Sequence, residues 1–350
     1  MIRCGDTGPA VAEIRSRLAH LGLISDVVET DPDHFDADLD KAVRTFQQER
    51  GITVDGVVGP QTFRRLEEAR WQLGDRVLWF NPGHLMAGDD VAELQRRLSE
   101  LGFLQERPDG LFGRHTDEAL REFQKGVGVT VDGTCGPESF RAFDRLVRTV
   151  SGGSATTLRE QVTLTELQTG VADKVVVLDP GDVVGNDLCH AIAVRVEGRL
   201  AALGTQVLLT RPAMHDPNDD GPDDRARAEF ANDVSANLVL SLHVAQATSP
   251  HPNGLVTFYF GDPHGAMHSP TGRLFAEYVQ EEVHSRTDLL DCHTHARSWD
   301  LLRLTRMPAV RVELGYLSNE ADARRLLNPA FQDVVAEGLA AAVMRLCAPQ

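Results

Sequence analysis

A duplication constrains this chain more than any other feature. Val11-Ala12-Glu13-Ile14, Leu18 and Leu21-Gly22 return 80 residues later as Val91-Ala92-Glu93-Leu94, Leu98 and Leu101-Gly102. Phe46-Gln47, Val54-Asp55-Gly56 and Gly59-Pro60 return 77 residues later as Phe123-Gln124, Val131-Asp132-Gly133 and Gly136-Pro137, so the first copy carries three extra residues in its middle loop. In each copy the early apolar residues recur at three- and four-residue spacing, which predicts an amphipathic helix ended by Gly22 or Gly102. A second periodic run, Leu39-Ala42-Val43-Phe46 or Leu120-Phe123, leads into an Asp-Gly turn. Gly-Pro then opens a third helix, over 62–69 or 138–147. Each copy is therefore predicted to be a small all-α three-helix bundle, at 1–72 and at 82–150.

The remaining chain has a different period. Residues 151–172 begin Ser151-Gly152-Gly153-Ser154 and lack sustained periodicity, as expected of an inter-domain linker. From 173 to 350, apolar runs at 175–178, 206–209, 238–242, 255–260 and 310–314 alternate with helical patterns, which predicts an α/β domain with a largely parallel, twisted sheet. The fold class is thus multidomain, two helical bundles followed by an α/β domain. At 350 residues the chain is long enough for each part to bury its own core.

Charge narrows the function classes. Lys and Arg total 35 against 52 Asp and Glu, a net charge of −17, and no local basic patch stands out. Such a chain has no general attraction to phosphate backbones or anionic lipid, so nucleic acid is not an expected partner. No stretch reaches the length of a membrane span, and the start Met1-Ile2-Arg3-Cys4-Gly5-Asp6 lacks an export pattern, so the expected location is cytoplasmic. Cys4, Cys135, Cys189, Cys292 and Cys347 are odd in number and lack C-x-x-C spacing, which predicts reduced thiols rather than a disulfide framework or a thiolate zinc cluster.

Two resemblances follow from these motifs. The repeated V-A-E-[IL], F-Q and V-D-G-x-x-G-P pattern resembles the peptidoglycan-binding domain type 1, which implies contact with cell-wall glycan or stem peptide; each of those residues also has a purely structural reading as core or turn. In the α/β region, four segments in order resemble the zinc-dependent N-acetylmuramoyl-L-alanine amidases of the amidase 3 family. They are Leu178-Asp179-Pro180-Gly181, Leu209-Thr210-Arg211, Leu240-Ser241-Leu242-His243 and the run from Pro308 through Glu313-Leu314-Gly315-Tyr316 to Asn319.

That resemblance implies a zinc ion held by two histidines and a glutamate with one open position, where bound water is activated and the scissile carbonyl polarised. It also implies a glutamate as general base and acid. Carried over residue by residue, His243 is the retained ligand and Glu313 the general-base position. The first ligand falls on Asp182, because the motif reads Asp179-Pro180-Gly181-Asp182, and the second falls on Gly185. His190, five residues beyond Gly185, would sit about 7.5 Å farther along a helix and about 140° around it, and Cys189 about 6 Å along, so neither replaces the missing carboxylate. Two ligands without a third hold zinc weakly.

Plainer readings stand beside these. His243 is equally readable as a hydrogen-bonded strand histidine. Glu313 interrupts an apolar strand and needs either a function or a partner, for which Arg211, Arg225 and Arg297 are the candidates. Cys292-His293-Thr294-His295 reads as a solvated loop rather than a metal site. As a whole, the chain resembles the CwlM-type group of actinobacterial proteins, which implies a regulator of peptidoglycan precursor synthesis acting on a MurA-like enolpyruvyl transferase. Two functions therefore stand open: a catalytically impaired amidase homologue that works by binding protein, with peptidoglycan or its precursor as a further partner, and an active zinc amidase cutting the bond between muramic acid and L-alanine.

Overall fold

The computed structural model describes residues 1–24, 32–146, 155–181, 187–213, 221–247, 249–261 and 268–349. They form two compact units, Met1–Arg159 and Glu160–Gln350. Among the described residues, no helix is long and apolar enough to cross a membrane.

The first unit holds both helical repeats. In the leading copy, α1 (Pro9–His20), α2 (Ala37–Glu49) and α3 (Pro60–Glu68) enclose Ile14, Leu18, Phe35, Leu39, Phe46 and Leu66. Asp36 caps α2 by accepting the Leu39 amide at 2.8 Å, which satisfies one of the donors a helix start leaves open. In the second copy, a short strand β1 (Leu78–Trp79) precedes α4 (Asp89–Glu100) and α5 (Arg114–Val127). Strand β2 (Thr134–Cys135) then pairs antiparallel with β1, and α6 (Pro137–Leu146) closes the bundle. Its core stacks Phe123 on Phe143 at 3.9 Å between ring centroids, with Phe103 edge-on to Phe123 at 5.7 Å.

The repeated F-Q and D-G pairs have one physical reason. The buried carboxamide of Gln47 accepts the amides of Asp55 and Gly56 at 3.1 and 2.9 Å. It donates to Asp55 Oδ1, the Val57 carbonyl and Thr62 Oγ1 at 2.8, 3.0 and 3.1 Å. Gln124 makes the same set with Asp132, Gly133, Thr134 and Ser139. One side chain thus satisfies the inner polar groups of a whole turn. Gly56 and Gly133 sit at φ +73° and +69°, where a glycine costs least. In the second copy Gln95 repeats this arrangement on Asp109, Gly110, Leu111 and Thr116. At the matching place the first copy has Arg15, whose guanidinium donates to the His34 carbonyl and to Asp36 Oδ2, both at 2.8 Å.

In the stretch expected as an irregular linker, residues Ala155–Leu167 form helix α7. The physical reason lies in its C-terminal half, where Leu164 and Leu167 pack on the core of the second unit and the Glu160 carboxylate accepts from Ser269 Oγ and the Thr271 amide. Tertiary contacts outweigh the weak helix preference of Thr156, Thr157, Thr163 and Thr165.

The second unit continues through β3 (Val175–Pro180), α8 (Leu188–Ala201), β4 (Gln206–Leu209), α9 (Asp224–Asp233), β5 (Leu238–Ala245) and β6 (Leu255–Phe260). After these come α10 (Pro270–His284), β7 (Asp291–Arg297), α11 (Asp300–Leu304), β8 (Ala309–Tyr316), α12 (Glu320–Leu326) and α13 (Pro329–Leu346). The strands order β4-β3-β5-β8-β6-β7, and every neighbouring pair is parallel except β6 with β8. Alternation along the strands divides the two faces. Val176, Leu178, Leu238, Leu240, Leu242, Val310 and Val312 join a core with Ile192, Phe275, Val279, Leu339 and Val343 from α8, α10 and α13. Each such fully buried side chain contributes about 1.5–3 kcal/mol relative to exposure. The intervening residues, Asp179, Ser241, His243, Arg311 and Glu313 among them, point to the opposite face.

Cys292-His293-Thr294-His295 lies within strand β7, which corrects the loop expected there. The strand is at the sheet edge and partly solvated, so its polar side chains gave no apolar alternation, and it is held by backbone pairing to β6.

The thiols differ in their surroundings, with a measurable consequence. Cys4 is exposed, while burial pushes the Cys135 thiol up to about 12 and the Cys347 thiol up to about 11. Since the thiolate is the nucleophile, iodoacetamide at neutral pH is expected to modify Cys4 first and Cys292 more slowly. Cys135 and Cys347 should react only on denaturation, as peptide mapping would read. Rapid native labelling of Cys135 would contradict the packing described.

Candidate functional site

The polar face of the sheet carries its chemistry at the ends of β3, β5 and β8. Asp179 is fully buried at the end of β3, and a carboxylate there is tolerable only with partners. It has three: Thr210 Oγ1 donates to Oδ1 at 2.5 Å, Ser241 Oγ donates to Oδ2, and Arg227 Nη1 lies 3.3 Å from Oδ2. Next in the chain, Gly181 lies so close to the His243 ring that a Cβ would overlap it, which explains the glycine. The Gly181 amide is tied to the Leu242 carbonyl at 2.8 Å.

Ser241 connects Asp179 to His243. Its oxygen lies 2.9 Å from His243 Nε2, and its single proton is already given to Asp179. The network therefore assigns the proton of that contact to Nε2. His243 itself is 2 % exposed.

His243 on β5 and Glu313 on β8 are register partners, so the sheet places these two predicted site residues side by side on one face. The partner of Glu313 is Arg311, whose Nη2 lies 3.2 Å from Oε1. This replaces two of the three arginines expected from sequence. Arg211 instead holds Asp187 through two parallel bonds at 2.7 and 2.9 Å and donates to the Pro180 carbonyl, whereas Arg225 lies 3.7 Å from Glu229. Arg297 is near enough for the charge of Glu313 to act on it, but burial, the larger influence, lowers its pKa. The signal for Arg311 was available in the sequence, since residues i and i+2 of a strand share a face.

Aromatic rings floor this end of the face. The Arg311 guanidinium lies 4.6 Å from the Trp299 ring, Trp299 meets Phe258 edge-on at 4.6 Å, and Arg297 covers Phe258 at 5.5 Å. Burial, with the Glu313 charge second, raises the Tyr316 phenol above its ordinary range.

Of the three ligand positions implied by the amidase resemblance, His243 is the one that falls among the described residues. Asp182 and Gly185, at the first and second ligand positions, lie outside the described residues. Cys189 is packed into the apolar core on the other face of the sheet from His243, which removes it as a substitute ligand, and His190 is half-buried on α8. Among the described residues, no three His, Cys, Asp or Glu side chains gather as a metal site.

The leading repeat carries a separate feature, a groove of about 520 Å³ whose lining includes Arg17, His20, Arg70, Trp71 and Asp75. Its mixture of an indole with charges of both signs suits a peptide or glycan surface rather than a purely apolar one.

Two helical repeats followed by an α/β domain with a mostly parallel sheet is the class of protein this architecture defines. Comparison with known proteins agrees: residues 177–345 match the Amidase_3 family model, N-acetylmuramoyl-L-alanine amidase, and residues 7–66 and 87–143 match the PG_binding_1 model, a peptidoglycan binding domain. The chain is 42% identical to N-acetylmuramoyl-L-alanine amidase CwlM of Mycobacterium tuberculosis, over 99% of this chain and 89% of that one. It is 26% identical to the germination-specific N-acetylmuramoyl-L-alanine amidase of Bacillus subtilis, over 50% of this chain and 80% of the relative. Among solved structures, the catalytic domain of CwlV from Bacillus (Paenibacillus) polymyxa superposes with TM-score 0.42 at 28% identity, covering 49% of this chain and 97% of that domain. The chain belongs to the N-acetylmuramoyl-L-alanine amidase family, in its CwlM-type arrangement of tandem peptidoglycan-binding domains and an amidase 3 domain.

Proposed function

We propose that this chain is a catalytically impaired amidase homologue that regulates peptidoglycan biosynthesis in the cytoplasm by binding another protein. A MurA-like enolpyruvyl transferase is the partner class, and peptidoglycan or its precursor is a further ligand. The observation that carries this reading is the Arg311–Glu313 ion pair. A general base needs a carboxylate oxygen directed at water, and the Arg311 guanidinium occupies one of the two oxygens of Glu313. Gly185 at the second ligand position, with Asp182 at the first, supports the same reading, because two ligands without a third hold zinc weakly.

The second reading is an active zinc amidase, favoured by the retained pairing of His243 and Glu313. In that case, zinc would supply an activated water, and Glu313 would need to release Arg311 to take its proton.

Metal analysis of the purified chain, combined with release of stem peptide from peptidoglycan, separates the two. The expected result is zinc well below one per chain and no release above background. Stoichiometric zinc with turnover that Glu313→Gln abolishes would overturn the proposal. A transferase whose rate is the same with and without this chain would remove the regulatory half of it.

A further inference from the structure

We propose that the groove on the leading repeat is a docking site for an extended, proline-containing segment of a protein partner, an inference that rests on the reading that this chain works by binding protein. Glu13, Arg17 and His20 share one face of α1 and line the groove, whose apolar part is Leu21, Leu66, Ala69 and the Trp71 indole. Its volume of about 520 Å³ falls within the range of about 300–1,000 Å³ that ligand sites occupy. The indole is held in place. The Arg70 and Arg76 guanidiniums lie 4.8 and 5.0 Å from its ring, and Arg76 is itself fixed by Asp90 at 2.7 Å.

The lining specifies a ligand that accepts hydrogen bonds and carries no net charge. Glu13 and Asp75 offset Arg17 and Arg70, so an ion of either sign meets its like. Both acids already have donors, since Arg17 donates to Glu13 at 2.6 Å and the Gln72 amide donates to Asp75 at 2.8 Å. Donors are left over. Arg17 Nη1 is buried and has no acceptor among the described residues, and neither the Arg70 guanidinium nor the Trp71 indole N–H donates to a described residue. A proline-containing backbone supplies carbonyls without matching N–H groups, and its preformed extended helix docks against aromatic rings. A glycan brings hydroxyl donors as well, and a stem peptide brings amide N–H groups and free carboxylates.

In the sister copy the same helix face is closed. Ser16 and His20 correspond to Arg96 and Glu100, 80 residues on, and Arg96 donates to Glu93 at 2.7 Å and pairs with Glu100. An ion-paired arginine therefore lies along α4 where α1 carries a serine and a histidine, and two substitutions write the closed face into the leading copy.

Fluorescence anisotropy of the full chain with fluorescein-labelled Pro-Pro-Leu-Pro-Pro-amide tests this. The peptide is expected to bind saturably and to shift the Trp71 indole N–H resonance, identified by its loss in Trp71→Phe. The double replacement Ser16→Arg with His20→Glu, or Trp71→Ala, should each weaken binding about tenfold or more, the scale of a lost anchor contact. Glycine in place of proline in the peptide should weaken it similarly, because the backbone is then no longer preformed. Absence of saturable binding, equal binding of the glycine peptide, or indifference to the double replacement with the fold intact by circular dichroism would overturn the site. Displacement of the labelled peptide by N-acetylmuramoyl-L-alanyl-D-isoglutamine more readily than by unlabelled proline peptide would assign the groove to a wall fragment and overturn the choice of a protein segment. Regulation of the transferase that survives the double replacement would sink this inference and leave the proposed function standing.

Discussion

Asp187→Ala is expected to destabilise the Glu160–Gln350 unit by about 3–5 kcal/mol, the range for stranding one member of a buried ion pair. The pair is enclosed, with side-chain exposures of 2% for Arg211 and 7% for Asp187. Removing the carboxylate leaves Arg211 with backbone carbonyls alone, at Pro180, Gly181 and Pro212. Alanine would also have to adopt the φ of +57° that Asp187 holds, a conformation asparagine tolerates better. Asp187→Asn should therefore cost less, and the double replacement Arg211→Met with Asp187→Asn should recover part of the loss. In a thermal melt, a unit of this size would shift by on the order of 10 °C for the alanine variant. Equal stability of the alanine and wild-type chains would mean that this pair does not tie the start of α8 to the end of β4.

Phe123→Ala is expected to act on the second repeat by a comparable amount, about 3–5 kcal/mol for a large aromatic removed from a core. Phe123 touches both Phe103 and Phe143, and a core of this size supplies only about 3–5 kcal/mol of net stability. The second repeat should consequently unfold. Its buried cluster shares no residue with that of the Glu160–Gln350 unit. Hydrogen exchange on the full chain should show amides of α4 and α5 losing protection while those of β3, β5 and β8 keep theirs. Loss of protection in both units at once would contradict their independent cores.

Much of this architecture was legible because period and repetition are written into the apolar residues. Val11, Ile14 and Leu18, with their counterparts Val91, Leu94 and Leu98, specify the helix face of each copy. The alternation of Leu238, Leu240 and Leu242 with Val239, Ser241 and His243 specifies a strand between two unlike faces. What escaped detection depends on long-range contacts. Gln47, Gln95 and Gln124 are fully or almost fully buried, but a glutamine on a helix gives no local sign of the turn it will support. Strand β7 escaped because its edge position permits Cys292, His293 and His295 where an inner strand would carry apolar residues. Helix α7 escaped because its support comes from Ser269 and Thr271, more than one hundred residues away. At the site, His243 and Glu313 were readable from their motifs, whereas the choice of Arg311 over Arg211 depended on seeing that Arg211 is committed to Asp187.

The clasp of Arg15 on Asp36, set against the neutral amide of Gln95 in the sister copy, has a consequence for how these near-twins can diverge. In the sister copy the donor to Asp109 is an uncharged carboxamide, so there is no ion pair to screen, while a guanidinium–carboxylate clasp reaching the surface at its Asp36 end weakens as electrolyte accumulates around it. Of two modules descended from one pattern, the leading one has tied its loop to the ionic strength of its surroundings, and the following one has not.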